Sequence, residues 1–501
     1  MLQKDFKRIW VICLGATLML INLTACTENQ TMISQEVNNN KQTYEIELFT
    51  DMEKITYQNK NVITGIGDPY VFTCNGMYYM TATSNGKLFD LYQSADMKKW
   101  YYIREIFETS YTTGWVRSDL WQPQIIEGMD GKFYLYYCGS NNKNSLRIGV
   151  AVADKVEGPY KDMKNEPLFD LGFATIDPYL YLDKNGSMYL YYTKDCSENI
   201  LWGKHTSQIY AVEMESYTKV KDGAEHKLLL TPEQSWELQS GDWLWNEGPD
   251  VLKHEGKYYL FYSANSYKSY DYSLGYAVSD TPLGPFVKYK NNPIISAIGS
   301  MSGTGSNSFF YSLDEKELFT AYQTHTNLAV GGEDRKLTID RCGFRKDGTF
   351  YINGPTVARQ PVPSGERTFI TSFAKVSVSS SAVGKNPNTL FDGAISKSLE
   401  DIPEEWTTTA KDEEKYIDVD FGIAKELCQI VLYPTYRDAY VPQNLQILLD
   451  DGGTISGISL STEDSMEPVI LIFESKTTQH VRIILGEAEE ELGLAEIMFL
   501  E

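Results

Sequence analysis

The sequence predicts an all-β protein, a five-bladed β-propeller followed by a β-sandwich. Three observations lead there. One short pattern recurs five times between residues 43 and 366. Aromatic content is 13%, led by 35 Tyr, and aromatic side chains favour strands over helices. After the N-terminal segment no long amphipathic helical pattern stands out.

The copies begin at Asp68-Pro69, Gln122-Pro123, Asp177-Pro178, Glu247-Gly248-Pro249 and Gly305-Ser306. Each start is followed by a few apolar residues, a turn and an aromatic-rich run such as Met77-Tyr78-Tyr79-Met80 or Lys257-Tyr258-Tyr259-Leu260-Phe261. Asn75-Gly76, Asp130-Gly131 and Asn185-Gly186 lie between the paired runs, with Glu255-Gly256 in the same place in the fourth copy. Such dipeptides suit the positive φ angles of a two-residue hairpin turn. The Pro residues fall where a strand starts, where no ladder hydrogen bond is lost. Pro69, Pro123, Pro178 and Pro249 are 54, 55 and 71 residues apart, and Ser306 follows 57 later. Each interval fits a four-stranded blade, with extra residues in the third, and a repeat of this length means an array or a propeller.

A composition change follows Pro361-Val362-Pro363-Ser364-Gly365. Residues 370–501 then form a unit sized for one domain. Alternating runs such as Tyr416–Phe421 and Leu445–Leu449 predict the β-sandwich.

At the other end, Lys4, Lys7 and Arg8 precede an apolar stretch from Ile9 to Leu23 that is short for a membrane span. Residues 1–25 therefore read as a signal peptide. The stretch ends at Leu23-Thr24-Ala25-Cys26, which resembles the lipobox of bacterial lipoproteins, in which the Cys is acylated. Cys26 is the expected lipidation site, and the polar residues 26–42 are a tether. The protein is then held at the extracellular face of a bacterial cell membrane, or secreted. Of seven Cys, five lie beyond this segment, widely spaced and without a C-x-x-C pair. That argues against a disulfide framework or zinc site and predicts that most of these Cys are buried free thiols. A net charge of −23 with no Lys/Arg block argues against nucleic acid as a partner.

The shared register carries the chemistry. Asp68, Asp177 and Glu247 come from the first, third and fourth copies, while Gln122 and Gly305 hold the second and fifth places. The starts of innermost propeller strands can face one pocket on the axis. Glycoside hydrolysis needs one carboxyl group to protonate the leaving oxygen and another to activate water or attack the sugar. Three close carboxylates cannot all ionise freely, so one is expected to hold its proton more tightly. Glu247 has the longer side chain and stands one residue out of step with its Pro, so it is assigned as proton donor. Alone, an Asp before a strand-opening Pro is more often a turn former. The functional reading rests on the register of all three.

Residues 61–355 resemble glycoside hydrolase family 43, inverting enzymes with five-bladed propellers. The resemblance rests on Gly67-Asp68-Pro69-Tyr70-Val71, Trp121-Gln122-Pro123, Thr175-Ile176-Asp177-Pro178, Asn246-Glu247-Gly248-Pro249-Asp250-Val251 and Gly303-Thr304-Gly305-Ser306-Asn307-Ser308-Phe309. It implies that Asp68 is the general base, Asp177 orients and tunes pKa, and Glu247 is the general acid. It also implies an arabinose- or xylose-containing polysaccharide or oligosaccharide as substrate, in the manner of an α-L-arabinofuranosidase or β-xylosidase. No cofactor is needed for catalysis. An inverting enzyme holds its two carboxyl groups about 6.5–9.5 Å apart. Family members often carry His, which helps hold a central metal or water cluster, where this chain has Ser306, and Trp-Ala-Pro where it has Trp121-Gln122-Pro123. Trp121, Gln122, Trp245, Ser306 and His325 are candidate substrate-binding residues, and Trp243 lies on the same predicted rim.

The C-terminal unit resembles the coagulation-factor-type discoidin fold, which includes family 32 carbohydrate-binding modules. The resemblance rests on Leu390-Phe391-Asp392-Gly393, Trp406-Thr407-Thr408, Tyr416–Gly422 and Leu494-Ala495-Glu496-Ile497. It implies a structural Ca²⁺ with Asp392 and Glu496 as candidate ligands, oxygen donors of the kind Ca²⁺ prefers. An alternative for the whole chain is a non-catalytic carbohydrate-binding lipoprotein, against which the three acids in register argue.

Overall fold

The structure is a computed structural model that describes residues 46–48, 55–60, 62–111, 114–299, 301–327, 334–345, 347–363, 370–371, 374–392, 395, 405–462 and 467–501. The expected signal peptide, tether and Cys26 lie outside them. Among the described residues no helix is long and apolar enough to cross a membrane.

Five antiparallel sheets follow one another along the chain, and within each the strands pair mainly in sequence order. The first comprises Gly67–Cys74, Met77–Thr83, Leu88–Ser94 and Tyr101–Glu108, and the second Ser118–Glu127, Phe133–Ser140, Leu146–Ala153 and Lys161–Asp162. The third comprises Thr175–Leu182, Met188–Lys194, Gln208–Ser216 and Lys219–Val220, with Lys227–Leu230 as an extra strand. The fourth comprises Asn246–His254, Lys257–Ala264, Ser273–Ser279 and Val287–Lys288, and the fifth Gly305–Tyr311, Leu318–His325, Arg335–Phe344 and Phe350–Ile352.

The hydrophobic clusters show how these sheets are arranged, because each one joins two neighbours. Leu91 and Ile106 pack with Leu135 and Tyr137, and Tyr136 with Leu180 and Leu190. Tyr191 and Ile209 pack with Leu260, and Phe261 and Tyr276 with Tyr322 and Phe350. Phe310 and Phe319 pack with Val71 and Met80, closing the circle from the fifth sheet to the first. This is the five-bladed propeller. Each second strand is covered on both faces, and Phe133–Ser140 is buried throughout. That is why these strands read as unbroken aromatic runs rather than alternating ones.

Two hairpins use the expected two-residue turn. Asn75 and Gly76 have φ of 50° and 72°, and Glu255 and Gly256 have 46° and 82°. In the second and third blades Asp130-Gly131 and Asn185-Gly186 lie within longer connections, where only the Gly has positive φ. There the Gly131 amide donates to the Gly128 carbonyl and the Gly186 amide to that of Asp183. The dipeptide marks the turn but does not set its length.

Seven strands from residues 375–500, joined by Ile46–Leu48, form an eight-stranded sheet built on two long strands, Tyr416–Pro434 and Val469–Ile484. Their mutual register shifts between Asp420 and Lys425 and again near Leu427. Ile417, Val419, Ile447 and Ile483 from one side of this break share a core with Leu432, Leu471, Leu494 and Ile497 from the other, an arrangement consistent with the expected β-sandwich. Trp406 is fully buried there, and its indole N–H donates to Ser381. One boundary needs correction. Ile46–Leu48, assigned from sequence to the propeller unit, pairs with Leu471–Phe473 of this C-terminal sheet. Three residues carry too little pattern to name their partner strand. Thr56–Tyr57 and Gln360–Pro361 pair where the chain enters and leaves the propeller. A second apolar cluster joins the units, with Ile55, Val357 and Ala358 against Val431, Tyr433, Ala495 and Leu500.

Candidate active site

All five innermost strands contain the same irregularity. Their pairing breaks between Gly67 and Tyr70, Trp121 and Gln124, Ile176 and Tyr179, Glu247 and Asp250, and Gly305 and Ser308. Each break sets two residues against one, a β-bulge, which bends a strand and re-aims its side chains. The first bulged residue is left-handed every time: Asp68 at φ 50°, Gln122 at 48°, Asp177 at 53°, Gly248 at 59° and Ser306 at 53°. Non-glycine residues reach that region at a cost of roughly 1–3 kcal/mol each, and such strain gathers at functional sites. The repeated register legible in the sequence is therefore a repeated bulge.

It also explains why Glu247 is out of step. In the fourth blade Gly248 takes the left-handed place, and Glu247 precedes it. The equivalent residues elsewhere are Gly67, Trp121, Ile176 and Gly305. A Cβ at Gly67 would collide with the Arg335 guanidinium, and one at Gly305 with the Tyr272 ring. Those two glycines leave room for the side chains that reach Asp68 and Glu247.

The bulge amides are held from the blade before. Gln122 N–H donates to Thr83 Oγ1 at 2.9 Å, Gly248 N–H to Asp177 Oδ2 at 2.9 Å, Ser306 N–H to Ser263 Oγ at 2.8 Å and Asp68 N–H to Gln323 Oε1 at 3.1 Å. The Asp177 amide faces the buried Cys138 thiol, which itself donates to the Trp121 carbonyl. Cys74, Cys138, Cys196 and Cys342 are free thiols, as expected.

The three acids share one site in unlike surroundings. Asp68 Oδ1 lies 3.6 Å from Arg335 Nη1, whose guanidinium also donates to Gln323 and sits over the Tyr267 ring. Asp177 is buried, and its Oδ2 also accepts from Thr193 Oγ1. Burial, and then the negative charge of Asp68, push its carboxyl up to about 7. Glu247 Oε1 accepts from the Tyr272 hydroxyl at 3.1 Å. Burial first, then the charges of Asp177 and Asp195, raise the Glu247 carboxyl well above the usual range, while the Tyr272 bond opposes them. The site sets one acid beside a guanidinium and another, Glu247, whose burial favours its protonated form, the pairing acid–base chemistry needs.

Asp195, Tyr272, Arg335 and Gln323 escaped the sequence reading. Asp195 is buried at the end of a blade-three strand and caps the short turn at 196–198. None of the four belongs to a repeated motif, and only the closure of the propeller brings them to the acids.

The candidate substrate contacts divide. Ser306 Oγ donates to Gln122 Oε1 at 2.9 Å, so these two side chains join each other. Trp121 and Trp245 are half-buried, and Trp245 stacks near Trp243 with ring centres 6.2 Å apart. His325 is corrected. It is buried, one ring nitrogen meets Ser302 Oγ and the other the Tyr267 carbonyl, and its ring covers Gly303. Both nitrogens serve the fold, which a lone His in a Thr-His-Thr sequence cannot reveal. In the C-terminal unit, Asp392 ends the short helix Pro387–Phe391, its carbonyl accepting from Arg345. Glu496 is buried opposite Tyr433. Among the described residues no three His, Cys, Asp or Glu side chains gather as a metal site.

A five-bladed propeller with acids of opposed character at its bulges is a scaffold for cleaving glycosidic bonds. Residues 58–350 match the family described as Glycosyl hydrolases family 43. The chain belongs to that family and is a glycosyl hydrolase. It is 44% identical to a solved structure described as a thermostable family-43 glycoside hydrolase, covering 62% of this chain and 100% of that one at a TM-score of 0.59. An endo-1,4-β-xylanase from Bacteroides thetaiotaomicron is 29% identical over 61% of this chain and 100% of that one, at a TM-score of 0.52. Among characterised relatives, the extracellular endo-α-(1→5)-L-arabinanase of Thermotoga petrophila is 24% identical, over 61% of this chain and 75% of its own length. The β-xylosidase of Xylanibacter ruminicola is 30% identical over 34% of this chain and 56% of its own length. Residues 370–500 match a domain family described as of unknown function, DUF7402.

Proposed function

We propose that the protein hydrolyses arabinose- or xylose-containing polysaccharides or oligosaccharides with inversion, as an α-L-arabinofuranosidase or β-xylosidase. Asp68, beside Arg335, takes a proton from the water that attacks the anomeric carbon. Glu247 protonates the departing oxygen. Asp177 holds the amide after Glu247 and, through its charge, helps keep Glu247 protonated. The observation that carries this reading is the environment of Glu247, whose burial among acids favours its protonated form. The sugar class draws on relatives that are an arabinanase and a β-xylosidase.

The extracellular arabinanase relatives support export, and acylation at Cys26 would tether the enzyme to the outer face of the membrane. The discoidin-like reading of the C-terminal unit makes it a glycan-binding or supporting module. A Ca²⁺ at Asp392 and Glu496 would draw on oxygen donors of the kind that ion takes, though among the described residues no group of three His, Cys, Asp or Glu gathers as a metal site. No role is assigned to a metal.

Sugar release from arabinan, arabinoxylan, xylo-oligosaccharides and galactan, read by chromatography, tests the proposal. Arabinose or xylose released by the wild type, and lost in both Asp68→Asn and Glu247→Ala, is the expected result. Release of neither sugar overturns it.

A further inference from the structure

The long third interval builds something of its own. A hairpin inserted between two strands of the third blade, Ile200–Leu201 and Lys204–Thr206, joins Trp243–Leu244, just before Glu247, in a small sheet. The first two strands are a hairpin whose tip is Trp202-Gly203, both at positive φ. Lys204–Thr206 runs parallel to the third strand, with His205 opposite Trp243. Trp202 is 95% exposed at this tip.

From Trp243 the chain continues extended into the strand that carries Glu247. Alternate residues of an extended chain share a face. Leu244 and Asn246 are buried, whereas Trp243 is exposed and Trp245 and Glu247 are partly exposed. Trp243, Trp245 and Glu247 therefore form one row, with its exposed member farthest from the acid. His205 lies flat on Trp243, with centroids 3.9 Å apart and planes at 4°, and fixes that ring. The His205 Nδ1 contact with the Cys196 carbonyl at 3.0 Å and the Lys204 bond to the Gly241 carbonyl fix the hairpin. Asn246 is held on the buried side by Lys288, itself paired with Glu237. The row is braced on its buried side, and Trp243 at its outer end is exposed.

We propose that Trp245, Trp243 and the Trp202 tip form a binding platform for the leaving-group part of the substrate, the sugars on the far side of the cleaved bond. This rests on the assignment of Glu247 as general acid, because an acid that protonates the departing oxygen must stand beside the group that departs. The aromatic row leads outward from that point. Sugar rings present C–H faces that stack on aromatic surfaces, and Trp combines large area with little conformational freedom to lose. The enzyme's preferred substrate is then a chain with several sugars beyond the cut, rather than a disaccharide.

Two measurements test it. The first is calorimetric and fluorescence titration of Asp68→Asn with linear β-1,4-xylohexaose and α-1,5-arabinohexaose, alone and combined with Trp202→Ala, Trp202→Phe or Trp243→Ala. At least one hexasaccharide should bind, about tenfold more weakly in each Ala variant, with binding restored by Phe at 202. The second is kcat/KM of the single Trp variants on that hexasaccharide and on a nitrophenyl pentoside. The loss on the hexasaccharide should exceed that on the pentoside by about tenfold. Equal losses on both, no loss on either, or no hexasaccharide binding by Asp68→Asn would overturn the platform. If the wild type cleaves neither pentoside nor hexasaccharide, the hydrolytic proposal fails, yet the titration still decides the platform.

Discussion

Ser306 Oγ donates a 2.9 Å hydrogen bond to Gln122 Oε1, joining the bulges of the fifth and second blades. These are the two blades that bring no acid to the site, and they occupy each other instead. Removing the hydroxyl leaves Gln122 without this partner at a cost of about 1 kcal/mol. Ser306 also holds a φ of 53°, which Gly adopts without strain. Ser306→Gly should therefore be the more stable of the Gly and Ala variants, by roughly 1 kcal/mol. Chemical denaturation of the pair measures this.

Glu247→Gln should lower kcat on oligosaccharides by about 10²–10⁴-fold, the usual worth of a general acid. The loss should be much smaller on a nitrophenyl glycoside, whose leaving group departs without a proton. Asp68→Asn should impair both substrates alike. Steady-state kinetics on the two substrates separates the roles.

The charge of Asp177 helps raise Glu247. Asp177→Asn removes it, so the alkaline limb of kcat/KM should move to lower pH. The Tyr272 bond acts in the other direction, and Tyr272→Phe should move that limb to higher pH. A pH–rate profile of the variants checks both signs.

Stability should follow the same groups. The folded carboxyl of Asp177 is raised from 3.8 to about 7. Its contribution is thus fully present below about pH 4 and is lost as pH rises through 7. Asp177→Asn should match the wild type near pH 4 and exceed it in Tm by a few °C, on the order expected for about 1 kcal/mol or more, near pH 8. Thermal melts across that range provide the comparison.

Gly67→Ala tests the arrangement around the base. The added methyl meets the far end of the Arg335 side chain, which can swing away, rather than backbone. The fold should survive while Arg335 leaves Asp68. A kcat/KM at least tenfold lower, with a nearly unchanged melting temperature, is the expected outcome.

Much of this was legible because bulge, Pro and hairpin recur together. Five copies of one register announced five blades, and the three acids within it reached one site. The out-of-step Glu247 could be noticed in the sequence, but its cause could not, since the left-handed conformation of Gly248 is a property of backbone pairing. Arg335, Tyr272 and Asp195 stand on strands and turns without any motif. Their roles arise from side chains crossing between blades, as Arg335 does over Gly67. His325 misled for the same reason: its partners, Ser302 and the Tyr267 carbonyl, are distant in the chain.

The apolar contact of Ile55, Val357 and Ala358 with Val431, Ala495 and Leu500 bears on how the enzyme can be handled. Strand Gly493–Leu500 is buried along its whole length, one side in its own core and the other toward the propeller. A chain cut after Pro363 would uncover an oily patch on the catalytic half, and patches of that kind draw molecules together. Expression of the shortened propeller would then yield aggregate or inclusion bodies, and a silent assay on it would report on solubility rather than on catalysis.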